Sequence, residues 1–111
     1  MRRSKFPMNI STLGLMKKTG CIVTGFDAVE REIKNPASKI CGVALAKDLS
    51  PKSRKEILFA REKFRPQLEA VTLPASMEQI GSVLGKKTGI IAVMDIGFWK
   101  SMTVGCEPIN I

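Results

Sequence analysis

At 111 residues the chain has the size of one ordinary domain, and its 44% hydrophobic residues suffice for a packed core, which excludes a wholly disordered chain. Eighteen Lys and Arg against ten Asp and Glu give a formal net charge of +8, which suits polyanionic partners such as RNA, DNA or an anionic membrane surface, although a basic balance also serves solubility. With no histidine, and with Cys21, Cys41 and Cys106 sharing no C-x-x-C spacing, neither a metal site nor a disulfide framework is expected, and a reducing cytoplasm is favoured.

The basic opening Met1-Arg-Arg-Ser-Lys-Phe-Pro7 is followed by no long apolar stretch, because Lys17 and Lys18 interrupt it. Residues 1–8 therefore read as a flexible basic lead-in, not as a signal peptide or membrane span. Ile10, Leu13 and Met16 recur at helical spacing, and Gly20 stops that first helix. Cys21 to Val23 forms a short strand. Thr24 is expected to cap the next helix, with Asp27 three residues on in a variant of the capping box. Phe26, Val29 and Ile33 supply its inward stripe, and Asn35-Pro36 ends it.

Ile40 to Ala46 is an almost unbroken apolar run, as in a strand covered on both faces. Ser50-Pro51 predicts a helix start that continues to about Phe64, burying Ile57, Leu58, Ala60 and Phe64. Glu69 to Leu73 is a shorter strand. Ser76-Met-Glu-Gln79 is a capping box feeding Ile80, Val83 and Leu84, with Gly85 suited to the helix end. Gly89 to Met94 is a further buried strand, and Asp95 caps a last helix carrying Phe98 and Trp99, aromatics that serve as core cover or as stacking surfaces. Such alternation predicts an α/β fold with a mixed or parallel sheet between helices, residues 9–103 forming one domain and residues 104–111 a C-terminal tail.

Three segments suit a ligand. Gly85-Lys-Lys-Thr-Gly89 brackets two amines with glycines; it suits phosphate oxygens or serves as a solvated turn, and it lacks the spacing of a P-loop. Thr24 to Arg31 puts Asp27 and Arg31 on one helix face, as an RNA-reading pair or simply as an ion pair one turn apart. Lys47 and Asp48 follow the central strand, where open α/β sheets gather ligands, although Asp48 also suits support of the following turn.

Taken together, Leu13-Gly-Leu-Met-Lys-Lys-Thr-Gly20, Gly25-Phe-Asp-Ala-Val-Glu-Arg31, Leu45-Ala-Lys-Asp-Leu-Ser-Pro51 and Ile80-Gly-Ser-Val-Leu-Gly-Lys-Lys-Thr-Gly89 resemble the kink-turn-binding ribosomal protein family, in its short bacterial branch. The resemblance implies a three-layer α/β/α sandwich around a four-stranded mixed sheet. It also implies recognition of a kink-turn, a sharply bent RNA internal loop with sheared G·A pairs. In the family's G-x-N-E-x-x-K motif, Gly25 matches the glycine, Asp27 stands for asparagine, Ala28 for glutamate and Arg31 for lysine. Loss of the glutamate removes a guanine contact. The RNA-binding surface so implied comprises Lys17, Lys18, Thr24, Gly25, Asp27, Ala28, Arg31, Lys47, Lys86, Lys87, Thr88, Gly89 and Ile90. The lysines meet phosphates, Gly25, Asp27 and Arg31 read purines, and Ile90 packs on a splayed base.

The expectation is thus a non-catalytic, cytoplasmic RNA-binding protein, ribosome- or translation-associated. Its partners would be ribosomal or other kink-turn RNA and ribonucleoprotein components, with no cofactor, metal or small-molecule substrate. A protein-interaction module of the same superfamily is the alternative, and a substrate-recognition domain of an RNA-modifying enzyme is a third. A thiol enzyme on Cys21 or Cys41 would need a nearby base.

Overall fold

Local chemistry accounts for several of the helix boundaries. The computed structural model describes residues 11–103 and 106–109, so the expectations for residues 1–8 and for Ile10 fall outside the described residues. The elements run α1 (Ser11–Lys18), β1 (Ile22–Thr24), α2 (Phe26–Lys34), β2 (Gly42–Leu45), α3 (Pro51–Phe64), β3 (Glu69–Thr72), α4 (Met77–Leu84), β4 (Ile90–Val93), α5 (Ile96–Met102) and β5 (Glu107–Pro108). The Ser50 hydroxyl accepts from the Ser53 N–H, Asp95 accepts from the Phe98 N–H, and Ser76 and Gln79 close a full capping box. Each such cap contributes about 1 kcal/mol. Gly85 ends α4 in the left-handed conformation, at φ 94°.

The strands form one mixed sheet in the order β1-β4-β2-β3-β5. The parallel pair β2/β3 aligns Leu45 with Thr72, while β4 runs antiparallel to both β1 and β2. Alternate strand residues face opposite layers. Ala44, Val71, Leu73, Ile91 and Val93 pack with Leu13 and Met16 of α1, Ile80 and Leu84 of α4, and Trp99 and Met102 of α5. Val43, Leu45, Ile90 and Ala92 pack with Val29 and Ile33 of α2 and Ile57 and Ala60 of α3. The result is an α/β/α sandwich, as the alternation predicts.

Three expectations need correction. Thr24 is the last residue of β1, and the N-cap of α2 is Gly25, which makes no side-chain cap. Phe64 is 45% exposed, because α3 extends past the sheet it covers. Asp27 and Arg31 do not pair; the ion pair on α2 joins Glu30 to Lys34 at 3.7 Å. Within the C-terminal tail, β5 pairs antiparallel with β3, Thr72 opposite Glu107 and Val71 opposite Pro108. This adds a two-residue fifth strand to the expected four.

Trp99 is core cover, 1% exposed. It lies directly over Gly42, where an added Cβ would come within 2.2 Å of the indole.

Candidate nucleic-acid interface

The sheet register gathers the ends of β1, β2 and β3 with the beginning of β4, because Thr24 pairs with Ile91 and Leu45 with Ile90. The starts of α2 and α3 follow directly from β1 and β2 at this end, and α4 starts just past β3. Helix starts carry partial positive charge and free N–H groups. Those of α3 and α4 are capped by serine side chains, whereas that of α2 has no side-chain cap.

Gly25 makes the corner into α2. Its φ of 95° and ψ of 152° lie in a region open essentially to glycine alone, and its N–H donates to the Ile90 carbonyl at 3.0 Å. That bond ties the uncapped helix start to the beginning of β4, and so to the lysine turn that leads into it. The two lysines ride on α4: a Cβ added at Gly81 would sit 2.8 Å from the backbone N and Cα of Lys87. Thr88 N–H then reaches the Met77 carbonyl at 3.4 Å, and Ala46 N–H the Gly89 carbonyl at 2.9 Å. Asp48 accepts from the Met77 N–H at 2.8 Å, so it anchors the start of α4 instead of the turn that follows it. An open depression of about 290 Å³ results, lined by Gly25 and Phe26 on one side, Lys86 and Lys87 on another, and Leu49 and Ser53 of the α3 start.

The candidate residues divide by what they touch. Lys18, Asp27, Arg31, Lys47, Lys86 and Lys87 are exposed and, among the described residues, their side chains make no hydrogen bond or ion pair. Asp27 and Arg31 share one face of α2, one turn apart. Lys17 is engaged elsewhere: its ammonium donates to the Leu84 carbonyl at 2.6 Å, capping the end of α4 just before the lysine turn. Thr24 and Ala28 are half-buried.

Thr88 and Ile90 line the depression but expose little surface to it. Thr88 is 5% exposed, and its hydroxyl donates to the Lys86 carbonyl at 2.8 Å, bracing the turn. Ile90 is 4% exposed and belongs to the core under α2 and α3, so it offers the depression it lines little surface. Gly89 is glycine for an internal reason, since a Cβ there would meet Leu49 and Met77 at 2.7 and 2.8 Å. Phe26, Leu49 and Ser53 are the lining residues that sequence reasoning missed. The approach of α2 to α3 that brings them in is non-local and leaves no spacing signal.

Among the described residues no cluster of three or more potential metal ligands occurs, and no helix is long and apolar enough to cross a membrane. The Cys41 thiol is pushed up from its ordinary range by burial and then by the Asp95 carboxylate, and the Cys106 thiol by burial, so neither is primed as a nucleophile.

The geometry defines a class: an α/β/α sandwich with an open, cationic depression at one sheet end. No family model matches the chain, and no curated protein matches it. Among solved structures, it is similar to a protein with unknown function from Bacillus halodurans C, at 24% identity and a TM-score of 0.70. The match covers 82% of this chain and 88% of that one. The similarity establishes a shared fold.

Proposed function

We propose that this chain is a non-catalytic RNA-binding protein that recognises structured, kink-turn-like RNA in the cytoplasm, in association with the ribosome or the translation machinery. One observation carries the reading: the uncapped start of α2 and the turn bearing Lys86 and Lys87 line a single depression, joined by the bond from Gly25 N–H to Ile90 O. Phosphates are attracted to the lysines and to the free N–H groups of the helix start. Asp27 and Arg31, exposed on the face of α2 that leads away from that start, present an acceptor and a bidentate donor to purine edges. The net charge of +8 supplies long-range attraction. The resemblance to the kink-turn-binding family supports the same surface. RNA shape contributes much of the selectivity in such recognition.

The test is a gel-shift titration of a kink-turn RNA against an unbent duplex of equal length, at two salt concentrations. The expected result is tighter binding of the kink-turn, with a salt dependence that Lys86→Gln/Lys87→Gln reduces. Equal affinity for both RNAs would leave only nonspecific polyanion attraction.

A further inference from the structure

A second surface adjoins the first. Helices α2 and α3 lie side by side and run parallel: Phe26 at the start of α2 lines the depression with Ser53, while at the far end the Lys34 ammonium stands 5.6 Å from the centre of the Phe64 ring. Between them runs an open apolar groove of about 470 Å³. Phe59, at 66% exposure, and Phe64 present their rings there, in positions that the core does not use. Lys34, Lys55 and Lys63 also line the groove, against the carboxylates of Glu30 and Glu56. Of these, Glu30 is already paired with Lys34. Phe26 lines both the groove and the depression beside Lys86 and Lys87, so the two adjoin.

We infer that the groove between α2 and α3 is a stacking platform for unpaired nucleotides leading away from the structured RNA held at the lysine turn. This rests on the RNA reading above and extends it. Aromatic faces flanked by amines suit single strands, because every base has a π-face and every nucleotide a phosphate. The Lys34 and Lys63 ammoniums each lie 5.6 Å from the Phe64 ring, which puts cations and an aromatic surface in one place. An apolar peptide helix would find the same floor. The lysine majority on the rim, and the position of the groove beside the depression at the lysine turn, favour a polyanion.

The experiment titrates the full chain by fluorescence anisotropy with a kink-turn RNA, with the same RNA carrying a single-stranded oligouridine tail, and with an acidic amphipathic peptide. Wild type is compared with Phe59→Leu, which keeps an apolar side chain and removes the π-face, and with Lys55→Gln/Lys63→Gln. Thermal melts confirm that these exposed substitutions leave the fold intact. The tail is expected to raise wild-type affinity roughly 5- to 160-fold per stacked base, and Phe59→Leu to reduce that gain without changing affinity for the tailless RNA. Lys55→Gln/Lys63→Gln is expected to lower the salt slope of the tailed RNA by about 1.4. Tailless RNA that binds while the tail adds nothing, or a gain that Phe59→Leu leaves intact, overturns the platform and spares the functional reading. Failure of both RNAs to bind overturns both. Binding of the peptide that is sensitive to Phe59→Leu, with no tail effect, assigns the groove to a protein partner instead.

Discussion

Certain cations at the two ends of the sheet are used in opposite ways. Where β2 and β3 begin, Arg65 donates to three carbonyls, those of Ile33 at 3.1 Å, Asn35 at 2.6 Å and Ser38 at 3.1 Å, and so closes the end of α2. Arg61 donates to the Leu68 carbonyl, and the Trp99 indole to Glu69. At the other end Lys47, Lys86 and Lys87 meet only solvent among the described residues. A cation that satisfies orphaned helix-end carbonyls belongs to the fold. One that satisfies nothing in its own chain is free to bind another molecule. The difference lies in the backbone each side chain can reach.

Variants can break this comparison, and the largest effect is expected at the structural end. Trp99→Ala should lower the unfolding free energy by about 3–5 kcal/mol in urea titrations, because it empties a fully buried site, while the folded fraction keeps its RNA affinity. Arg65→Met should cost about 1–3 kcal/mol by leaving carbonyls unsatisfied. If it instead weakened RNA binding at unchanged stability, the division between the two ends would be wrong. Lys86→Gln/Lys87→Gln should do the reverse. Stability should move by no more than about 0.5 kcal/mol, and the slope of log affinity against log salt should shrink by about 1.8, the value for two phosphate contacts.

The smallest effect concerns the thiols. Folding raises the Cys41 and Cys106 values, so the folded chain keeps their protons longer than the unfolded chain. The stability they contribute is complete below the ordinary thiol value of 9.0 and is lost as pH rises through the raised values. Alkaline urea titrations should therefore show a shallower fall for Cys41→Ala/Cys106→Ala than for wild type.

Local chemistry was legible and distant chemistry was not. Ser50-Pro51, the Ser76–Gln79 box, Gly85 and Asp95 each act within one helical turn, and all four stand where their residue types predict. The start of α2 misled because Thr24 offers a hydroxyl, whereas the corner requires the backbone freedom of Gly25. Phe64 continues the apolar stripe of α3, but a 14-residue helix, about 21 Å long, outruns a four-residue strand of about 13 Å. The stripe therefore continues into solvent. Thr88 and Ile90 looked available because they stand in or beside a polar turn; their burial comes from α2, α3 and α4 closing over the start of β4. The role of Arg65 and the fit of Trp99 over Gly42 arise only when remote segments meet.

Pro108 has a consequence for how copies of this chain behave at high concentration. Beside it, the Ile109 N–H points inward to the Ala70 carbonyl at 2.8 Å, so the nitrogen of Pro108 faces outward. Being proline, it carries no hydrogen to offer there. A neighbouring strand seeking to extend the sheet past β5 meets a two-residue rim with its central donor deleted, which discourages fibril-like polymerisation along that side.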